Sequence, residues 1–415
     1  MLKIAPAFPT PNKINGLEEQ GFDEQAGEDA IQAAIGLRGL LQAEAAHGDV
    51  QRYPSQRVID AMTEADLWAV AVPKRLGGRG ASATALTRMG AELAKGDPSV
   101  AWVSQIINGT TWVTSIGPDA LQDEIFADGV PRIAGAFNPP GTATPVEGGY
   151  RVTGAWPYAS AIRHTQWSQW GIKIVHPDGT EVPGNFCYIP TDQLVIENTW
   201  FVTGLQGTGS DTAVANDLFV PENRVVHAAR SYNFVEPGKR NYGAPSDYFA
   251  QMAFVHRTMT GTPLGAAEGL LAVVSEAAKV KPMVGTVFTR QIDSHVIVKE
   301  IGEAAIKIDA ARLLIEDSTG VLDAAALAMR VLTERERARN KAQANYAIQI
   351  LGEAVQSLMN VAGSSAFNNA NAAARYWRDF NMVARHFGNI PSVGHEVYGR
   401  SLVGVTPNAV PPFMY

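Results

Sequence analysis

The chain has 415 residues, 46% of them hydrophobic, and a formal net charge of -7 at neutral pH. This length is enough for two or three lobes around a sizeable core. Because acidic and basic residues are interspersed, no basic surface for nucleic acid or anionic membranes is expected. A single cysteine, Cys187, excludes an internal disulfide and predicts a reducing, cytoplasmic location. No apolar run approaches the roughly 20 residues of a membrane span.

The first part of the chain is predicted to be helical. After an N-terminal arm marked by several prolines, apolar residues recur at helical spacing from about Glu28 to Phe126. The Gly-rich segment VPKRLGGRGAS, residues 72–82, lacks the strand and the terminal Lys-Ser/Thr of a phosphate-binding loop. It therefore predicts a plain turn between helices.

The composition changes in the middle of the chain. Between Arg132 and Arg224 the sequence is rich in Gly, Pro, Thr, Val and aromatic residues, and it alternates as strands do. After a polar passage at residues 235–247, helical spacing returns with an apolar stripe from Ile297 to Ile315. A second helical segment is predicted from Leu322 to about Val361, with the charged run TERERARNK, residues 333–341, on its solvated face. We therefore predict domains at 1–127, 128–232 and 233–415.

The closing segment NVAGSSAFNNANAAARYWRDFNMVARHFGN, residues 360–389, resembles the closing motif of acyl-CoA dehydrogenases. Gly363 and Ser364 fall on the Gly-Gly pair of that family, and Arg378 and Asp379 fall on its Arg-Asp pair. The resemblance implies that Gly363 and Ser364 approach the diphosphate of a flavin held by a neighbouring subunit, a close approach that glycine permits. It also implies a homotetramer.

One position departs from that family in a way that changes the expected chemistry. The glutamate that removes the substrate proton in the dehydrogenases falls on Phe387, and a phenyl ring cannot accept a proton. The next carboxylate in this part of the chain is Glu396. A dehydrogenase with a relocated base is therefore kept only as an alternative.

The β-rich region carries two further motifs. GAWPYASAIRHTQW, residues 154–167, is similar to a dehydrogenase stretch in which Tyr158 falls on a Trp and Ser160 on a Thr that contacts the flavin ring. The acidic residues of the preceding loop are replaced by FNPPGTATP, residues 137–145. Together with the GLQGTGS loop, residues 204–210, these departures resemble the oxygenase components of two-component flavin-dependent monooxygenases.

This resemblance implies an α+β protein with an acyl-CoA dehydrogenase-like fold: an N-terminal helical domain, a middle β-barrel domain and a C-terminal four-helix bundle. It implies hydroxylation of a small aromatic or heteroaromatic substrate by reduced FAD or FMN and O2 through a C4a-hydroperoxyflavin. The sequence shows no nicotinamide-binding glycine fingerprint after a strand, so a separate NAD(P)H-dependent flavin reductase is expected as a partner.

The chemistry implied by the resemblance gives roles to individual residues. Ser160 would hydrogen-bond the flavin N5, since a hydroxyl can both donate and accept. His386 would hydrogen-bond the peroxide and, with an ordinary pKa near 6.5, could do so in either protonation state. The predicted cofactor-binding residues are Asn138, Trp156, Tyr158, Ser160, Thr208, Ser210, Arg257, Arg290, Gly363, Ser364 and Arg378. The predicted substrate-binding residues are Trp102, Trp112, Tyr158 and Phe387.

Several simpler interpretations remain open. His386 could be a helix C-terminal histidine favoured by the helix dipole, and Ser160 could satisfy a backbone group in a turn. The aromatic residues could be core, and Arg257 could form a surface salt bridge. A metal site at Asp379, His386 and His395 has no further ligands, so no metal is predicted.

The substrate and the type of reaction are also open at this point. Asn108, Thr110 and Thr111 stand where the resembling enzymes often carry a histidine that deprotonates a phenol, which favours an electron-rich ring such as indole. His164 is a substitute base for a phenol. The same chemistry could instead oxygenate the nitrogen of an amine, and a flavin-binding module without catalysis would carry the same motifs.

Overall fold

The structure, a computed structural model, describes residues 21–227 and 243–415. The predicted N-terminal arm and most of the polar passage at 235–247 lie outside these residues. The described part of the chain shows the predicted order of helices, strands and helices. The domain boundaries stay a prediction, and the one at 232/233 falls outside the described residues.

The first helical region contains α1 to α5. Side chains begin several of these helices: Asp23, Ser55 and Ser82 each accept a hydrogen bond from the backbone three residues later. The predicted turn at 72–82 is confirmed between α2 and α3. The helices are α1 (Glu24–Gln51), α2 (Gln56–Glu64), α3 (Ala83–Ala94), α4 (Pro98–Ser115) and α5 (Asp119–Ile125).

The middle region is a seven-stranded sheet with the order β5-β6-β2-β1-β3-β4-β7. β1 and β3 are parallel, and the other pairs are antiparallel. The described strands thus form one sheet with β5 and β7 at its two ends, where the sequence predicted a barrel. The strands are β1 (Ile133–Val146), β2 (Gly149–Trp156), β3 (Trp167–Val175), β4 (Glu181–Pro190), β5 (Val195–Glu197), β6 (Thr212–Pro221) and β7 (Val225–His227).

The last region is again helical. Its helices are α6 (Gln251–Thr258), α7 (Gly261–Ala278), α8 (His295–Leu327), α9 (Glu334–Ala362), α10 (Ala372–Val383) and α11 (Pro391–Val403). The fold class is confirmed by this order. Within the described ranges, no helix has a stretch long and apolar enough to cross a membrane.

One predicted helix boundary is wrong. The segment predicted from Leu322 to Val361 contains the end of α8 and then a new helix, α9. Thr333 starts α9 with a capping box: its hydroxyl accepts from the Glu336 N–H, and the Glu336 carboxylate accepts from the Thr333 N–H. The spacing of apolar residues continues across the break, so periodicity alone did not reveal it.

The charged run at the start of α9 is also only partly on the surface. Glu334 and Arg335 are exposed as predicted, whereas Lys341 is 2% exposed. Ala338, Lys341 and Asn345 lie at three- and four-residue spacing, so Lys341 falls on the buried stripe of the helix. This position makes Lys341 part of the interior described below.

Candidate functional site

The turn after β2 carries Ser160 into the interior. Tyr158 and Ala161 have φ of 59° and 69°, in the left-handed region that non-glycine residues rarely adopt. The backbone holds this turn against the 204–210 loop, because the Ala161 N–H donates to the Thr208 carbonyl at 3.0 Å. Ser160 is 7% exposed as a result, while the Tyr158 side chain is 63% exposed.

A row of hydrogen bonds runs through Ser160. The Trp102 indole Nε1 donates to Ser160 Oγ at 3.1 Å. Ser160 Oγ lies 2.7 Å from Ser210 Oγ, and Ser210 Oγ lies 2.7 Å from Thr208 Oγ1. Thr208 Oγ1 donates to the Leu205 carbonyl at 2.9 Å. We call Ser160, Ser210 and Thr208 the hydroxyl chain.

The loop that carries the hydroxyl chain is fixed to helix α10. Asp379 Oδ1 accepts the Leu205 N–H at 2.6 Å, and a Cβ on Gly204 would lie 2.3 Å from the Arg378 carbonyl oxygen. Glycine is therefore required for this close approach. Burial, with Asp49 and Asp97 nearby, raises the pKa of Asp379 well above its usual range. Arg378 forms an ion pair with Asp49 of α1 at 3.4 Å, and its contact with the flavin stays a prediction.

His386 lies on the other side of Trp102. The two ring centroids are 5.2 Å apart in an edge-to-face arrangement. Helix α10 ends at Val383, so His386 caps the short turn Phe387–Asn389 that follows and is not part of the helix. The interpretation as a helix-terminal histidine, and the shared helix face with Asp379, are therefore wrong.

The protonation of His386 follows from its surroundings. Burial, with Lys341 nearby, lowers the pKa of His386 to about 4, so the ring is neutral near pH 7. The Gly388 N–H donates to His386 Nδ1 at 3.3 Å. Because a neutral imidazole has one proton, that proton is on Nε2, and His386 offers an N–H donor.

A group of basic side chains lies beyond His386. The His256 ring is 6.0 Å from the His386 ring and 5.0 Å from that of Phe387. His256, Arg257 and Lys341, which we call the cationic cluster, are 1 to 2% exposed. Lys341 Nζ donates to the Gly388 carbonyl at 3.2 Å. No carboxylate among the described residues forms an ion pair with any of the three.

The cationic cluster is unusual because its polar atoms lack partners. Both His256 ring nitrogens, and Nε and Nη2 of Arg257, are buried without a hydrogen bond. Burial lowers the pKa of Arg257 to about 9, and burial with Arg257 nearby lowers that of Lys341 to about 7. Burial, with Arg257, His386 and Lys341 nearby, lowers the pKa of His256 well below its usual range. The arrangement favours an anionic group.

The sequence did not reveal the whole cluster. Arg257 was predicted, but His256 and Lys341 were not. Lys341 was assigned to a solvated run, and His256 has no motif of its own. The spacing of Ala338, Lys341 and Asn345 was the one signal that placed a lysine on a buried stripe.

Two predicted contacts with ligands are wrong because the side chains have no exposed surface. Trp156 stacks on Trp170 with centroids 4.9 Å apart inside the sheet core, and its indole N–H donates to the Gly171 carbonyl. Trp112 packs 4.2 Å from Phe254, and its indole N–H donates to the Ser246 carbonyl. Both are core residues, as the simpler interpretation of the aromatic residues predicted.

The other predicted aromatic and polar residues range from exposed to fully buried. Phe387 is 46% exposed, and Trp102 is 5% exposed between Ser160 and His386. Asn138 is an exposed residue of β1. Thr208 and Ser210 are at most 2% exposed and contact other hydroxyl groups. They lie behind Ser160 in the hydroxyl chain, and their predicted contact with the cofactor stays a prediction.

A second group of predicted residues lies at the end of α9. Gly363 has a φ of 70°, which favours glycine, and Ser364 is exposed. Lys281 Nζ donates to the Ala362 carbonyl and to Ser365 Oγ. The side chain of Gln291, the neighbour of Arg290, donates to the Val361 carbonyl at 2.8 Å. We call this region, Lys281, Arg290 and Gly363–Ser365, the tail surface.

Three residues considered as a relocated base, a substrate contact or a metal ligand have surroundings that suit other roles. Glu396 is half exposed on α11 and pairs with Arg400 at 2.8 Å. Asn108 is buried and bonded to the backbone of Val70 and Leu67, so it stabilises the fold. His395 lies beside Tyr346. In the described residues no group of three or more His, Cys, Asp or Glu side chains could hold a metal ion.

His164, the substitute base considered for a phenol, lies apart from the hydroxyl chain. Its ring is 5.8 Å from that of Tyr53, and burial, with Arg132 and Arg163 nearby, lowers its pKa to about 4. It is therefore a weak base, and no described contact joins it to Ser160 or His386.

Comparison with known proteins identifies the fold family. Residues 37–128 match the N-terminal domain of acyl-CoA dehydrogenases, and residues 258–391 match their C-terminal domain. An FADH(2)-dependent resorcinol hydroxylase, oxygenase component, from Rhizobium sp. (strain MTP-10005) is 28% identical over 90% of this chain and 93% of its own length. An indole-3-acetate monooxygenase from Pseudomonas putida is 26% identical over 81% of this chain and 84% of its own.

A solved structure agrees. XiaF from Streptomyces sp., in complex with FADH2 and glycerol, is 30% identical and superposes with a TM-score of 0.87, covering 93% of this chain and 98% of its own. The predicted resemblance is confirmed. The chain belongs to the acyl-CoA dehydrogenase superfamily, in its branch of flavin-dependent monooxygenase oxygenase components.

Proposed function

We propose that this chain hydroxylates a small aromatic or heteroaromatic substrate with reduced flavin and O2. The observation that carries the proposal is the arrangement of Ser160, Trp102 and His386. The Trp102 indole donates to Ser160 on one side and packs against the His386 ring on the other. Phe387 stands at the position where a dehydrogenase needs its base. The relatives reported above are named as hydroxylases and monooxygenases.

The residues present fit a reduced flavin. Ser160 offers a buried hydroxyl to a ring nitrogen, and Arg257 has unpaired N–H groups suited to an electron-rich ring edge. XiaF was solved with FADH2, and both FAD and FMN remain candidates here. When bound, reduced flavin supplies the two electrons with which one oxygen atom of O2 enters the ring and the other leaves as water.

The chain's own residues would control water and hydrogen bonds. Trp102, Leu205, Met259 and Val383 form a buried apolar cluster between the hydroxyl chain and His386. Excluding water strengthens the hydrogen bonds that remain. His386, neutral with its proton on Nε2, would donate to an oxygen atom, and Phe387 and Tyr158 would contact the substrate ring.

The tail surface supports a flavin bound between subunits. Lys281 brings a positive charge next to Gly363, where Ser364 is exposed, whereas Arg290 is paired with Asp293. On α8 and α9, large apolar side chains are exposed: Ile306 65%, Leu313 69% and Tyr346 46%. Burying these in contacts between copies agrees with a homotetramer. Sedimentation analysis of the purified chain measures this directly.

The decisive experiment is product analysis with isotopic oxygen. The purified chain, an NAD(P)H-dependent flavin reductase, FAD or FMN, and ¹⁸O₂ are incubated with a panel of phenols, indoles and amines. We expect one ¹⁸O atom in a hydroxylated ring of a phenol or an indole. Labelled N-oxide would instead identify an amine N-oxygenase. Unsaturated product from acyl-CoA with an artificial electron acceptor would identify a dehydrogenase, and flavin binding without any product a non-catalytic module.

A further inference from the structure

The cationic cluster divides into two parts because its two α6 members point in different directions. Consecutive residues of a helix are turned by about 100° from one another. His256 faces the turn after α10: its ring lies 5.0 Å from that of Phe387, and a Cβ on Gly388 would lie 2.9 Å from the His256 ring. Arg257, which fits the flavin edge, points to another side of α6. His256 and Lys341 therefore form a separate pair.

The turn after α10 places three different groups side by side. His386 begins the turn, and the half-exposed Phe387 follows it. The carbonyl of the next residue, Gly388, accepts a hydrogen bond from Lys341 Nζ at 3.2 Å. The ring centroids of His386 and His256 are 6.0 Å apart, a separation that an aromatic ring with a short side chain can span. One ligand can therefore contact His386, Phe387 and the pair of His256 and Lys341.

Both members of the pair have hydrogen bonds still to give. An ammonium group has three N–H donors, and in the described part of the chain Lys341 Nζ donates to the Gly388 carbonyl alone. Neither ring nitrogen of His256 has a partner there, and a neutral imidazole donates through one of them. Each side chain is 2% exposed. Because both lie against Gly388, they can donate to the same small acceptor.

The charge of the pair also calls for an anion. The ionisable groups that act on Lys341 and His256 are Arg257 of α6 and His386 of the turn, and neither carries a negative charge. No carboxylate of the described residues forms an ion pair with Lys341. A buried cation without a counter-ion is costly, and a bound anion removes that cost. A carboxylate fits two neighbouring donors because it has two acceptor oxygens.

We propose that Lys341 and His256 bind a carboxylate of the substrate, so that the chain hydroxylates aromatic acids in preference to neutral aromatic compounds of the same shape. The inference rests on the proposed function and names its substrate class. The carboxylate lies against Gly388, the ring against Phe387, and the reacting ring carbon towards His386. Lys341 and His256 take no part in the transfer of oxygen. They determine which substrate is accepted.

The test compares acids with their amides, which have the same shape and no charge. The probes are indole-3-acetate with indole-3-acetamide, and 4-hydroxyphenylacetate with its amide. The purified chain, a flavin reductase and FAD are used to measure kcat/KM for hydroxylation of each probe. We expect the wild type to favour an acid over its amide about tenfold or more. Lys341→Gln keeps a donor for the Gly388 carbonyl without the charge, and should lower this ratio about tenfold.

Two further variants separate this effect from general damage. His256→Phe keeps a ring of similar size, removes the N–H group and should also lower the ratio of acid to amide. It provides an independent test if Lys341→Gln does not fold. Lys279→Gln changes an exposed lysine that is paired with Glu276, and should leave the ratio at the wild-type value.

The dependence on pH supplies a readout that a purely structural role of Lys341 would not change. Burial, with Arg257 nearby, lowers the pKa of Lys341 to about 7, so its charge is lost as the pH rises through this value. The wild-type ratio of acid to amide should fall severalfold from about pH 6.5 to 8, whereas that of Lys341→Gln should stay constant. His256 and His386 stay neutral in this range, and Arg257, with a pKa of about 9, stays charged.

Three results would overturn the inference while the proposed function stands. The first is hydroxylation of neutral phenols or indoles without a preference for the acids. The second is an unchanged ratio in both Lys341→Gln and His256→Phe. The third is a loss of reduced-flavin binding in Lys341→Gln, measured by anaerobic titration, as large as the loss of activity on the acid, since the pair would then serve the flavin. Failure to hydroxylate any aromatic compound would overturn the proposed function and this inference with it.

Discussion

The hydroxyl chain and the cationic cluster lie on opposite sides of the Trp102–His386 pair and differ in how their polar groups are satisfied. In the hydroxyl chain every contact is a hydrogen bond of 2.7 to 3.1 Å. In the cationic cluster, four ring and guanidinium nitrogens of His256 and Arg257 have no partner. Both regions are buried to a similar degree.

This difference distinguishes residues that hold the geometry of a site from residues whose polar groups are free to bind a ligand. A satisfied network stabilises the fold and fixes one geometry. An unsatisfied buried cation destabilises the fold and persists when function requires it. We therefore expect substitutions in the first region to lower the free energy of unfolding, and substitutions in the second to weaken ligand binding without lowering the free energy of unfolding.

The largest expected effect is that of Arg257→Met. The loss of charged hydrogen bonds should weaken the binding of reduced flavin about 100-fold, equivalent to about 2.7 kcal/mol. The free energy of unfolding of the flavin-free protein should stay constant or rise, since methionine buries no charge. Anaerobic titration and urea unfolding measure the two quantities. Arg88→Met, at an exposed arginine paired with Glu316, is the control. A marked loss of stability in Arg257→Met would contradict the comparison.

Substitution of Asp379 tests the satisfied region. Asp379→Ala removes the acceptor of the buried Leu205 N–H and should lower the free energy of unfolding by about 2 kcal/mol. Asp379→Asn keeps an acceptor oxygen for the Leu205 N–H and removes a carboxyl group whose pKa burial raises well above its usual range. Its cost in urea unfolding should be about 0.5 kcal/mol or less. Equal costs for the two variants would show that the carboxylate charge matters.

His386→Ala should uncouple the reaction about tenfold, the effect of losing one hydrogen bond of about 1.4 kcal/mol. The measured quantity is product formed per O2 consumed, with hydrogen peroxide as the other outlet. Because burial lowers the pKa of His386 to about 4, the ring is neutral throughout pH 6 to 8. Coupling by the wild type should therefore show no His386 titration in that range. Unchanged coupling in His386→Ala would remove the residue from the proposed mechanism.

The last prediction concerns Lys341 and pH. Its pKa falls from 10.5 to about 7 on folding. Between these values the unfolded chain binds more protons, so the stability of the wild type rises with pH from about 7 to 10.5. The destabilisation is complete below about pH 7. Lys341→Met should thus be stabilising below pH 7, with a gain that fades towards pH 10. Urea unfolding at several pH values measures it, and a gain independent of pH would contradict the lowered pKa.

The predictable part of the candidate site was the part carried by motifs. Ser160, His386 and Phe387 stand in recognisable order around the Gly-rich loop and the Arg-Asp pair, so they were found from local sequence. Trp156 and Trp112 stand in the same motifs but lie in the core, because a motif does not specify which side of a strand or helix faces a cavity. His256 and Lys341 had no motif and were missed.

The sequence by itself determined the order of helices and strands, the family resemblance and the absence of the dehydrogenase base at Phe387, because these depend on residue types and spacing along the chain. Only the tertiary structure decided that Thr208 and Ser210 are buried behind Ser160, that His386 lies beyond its helix, and that three basic side chains meet without a carboxylate among the described residues. Each of these depends on contacts between residues distant in sequence, where burial removes water and leaves the remaining neighbours to decide charge and hydrogen-bond direction.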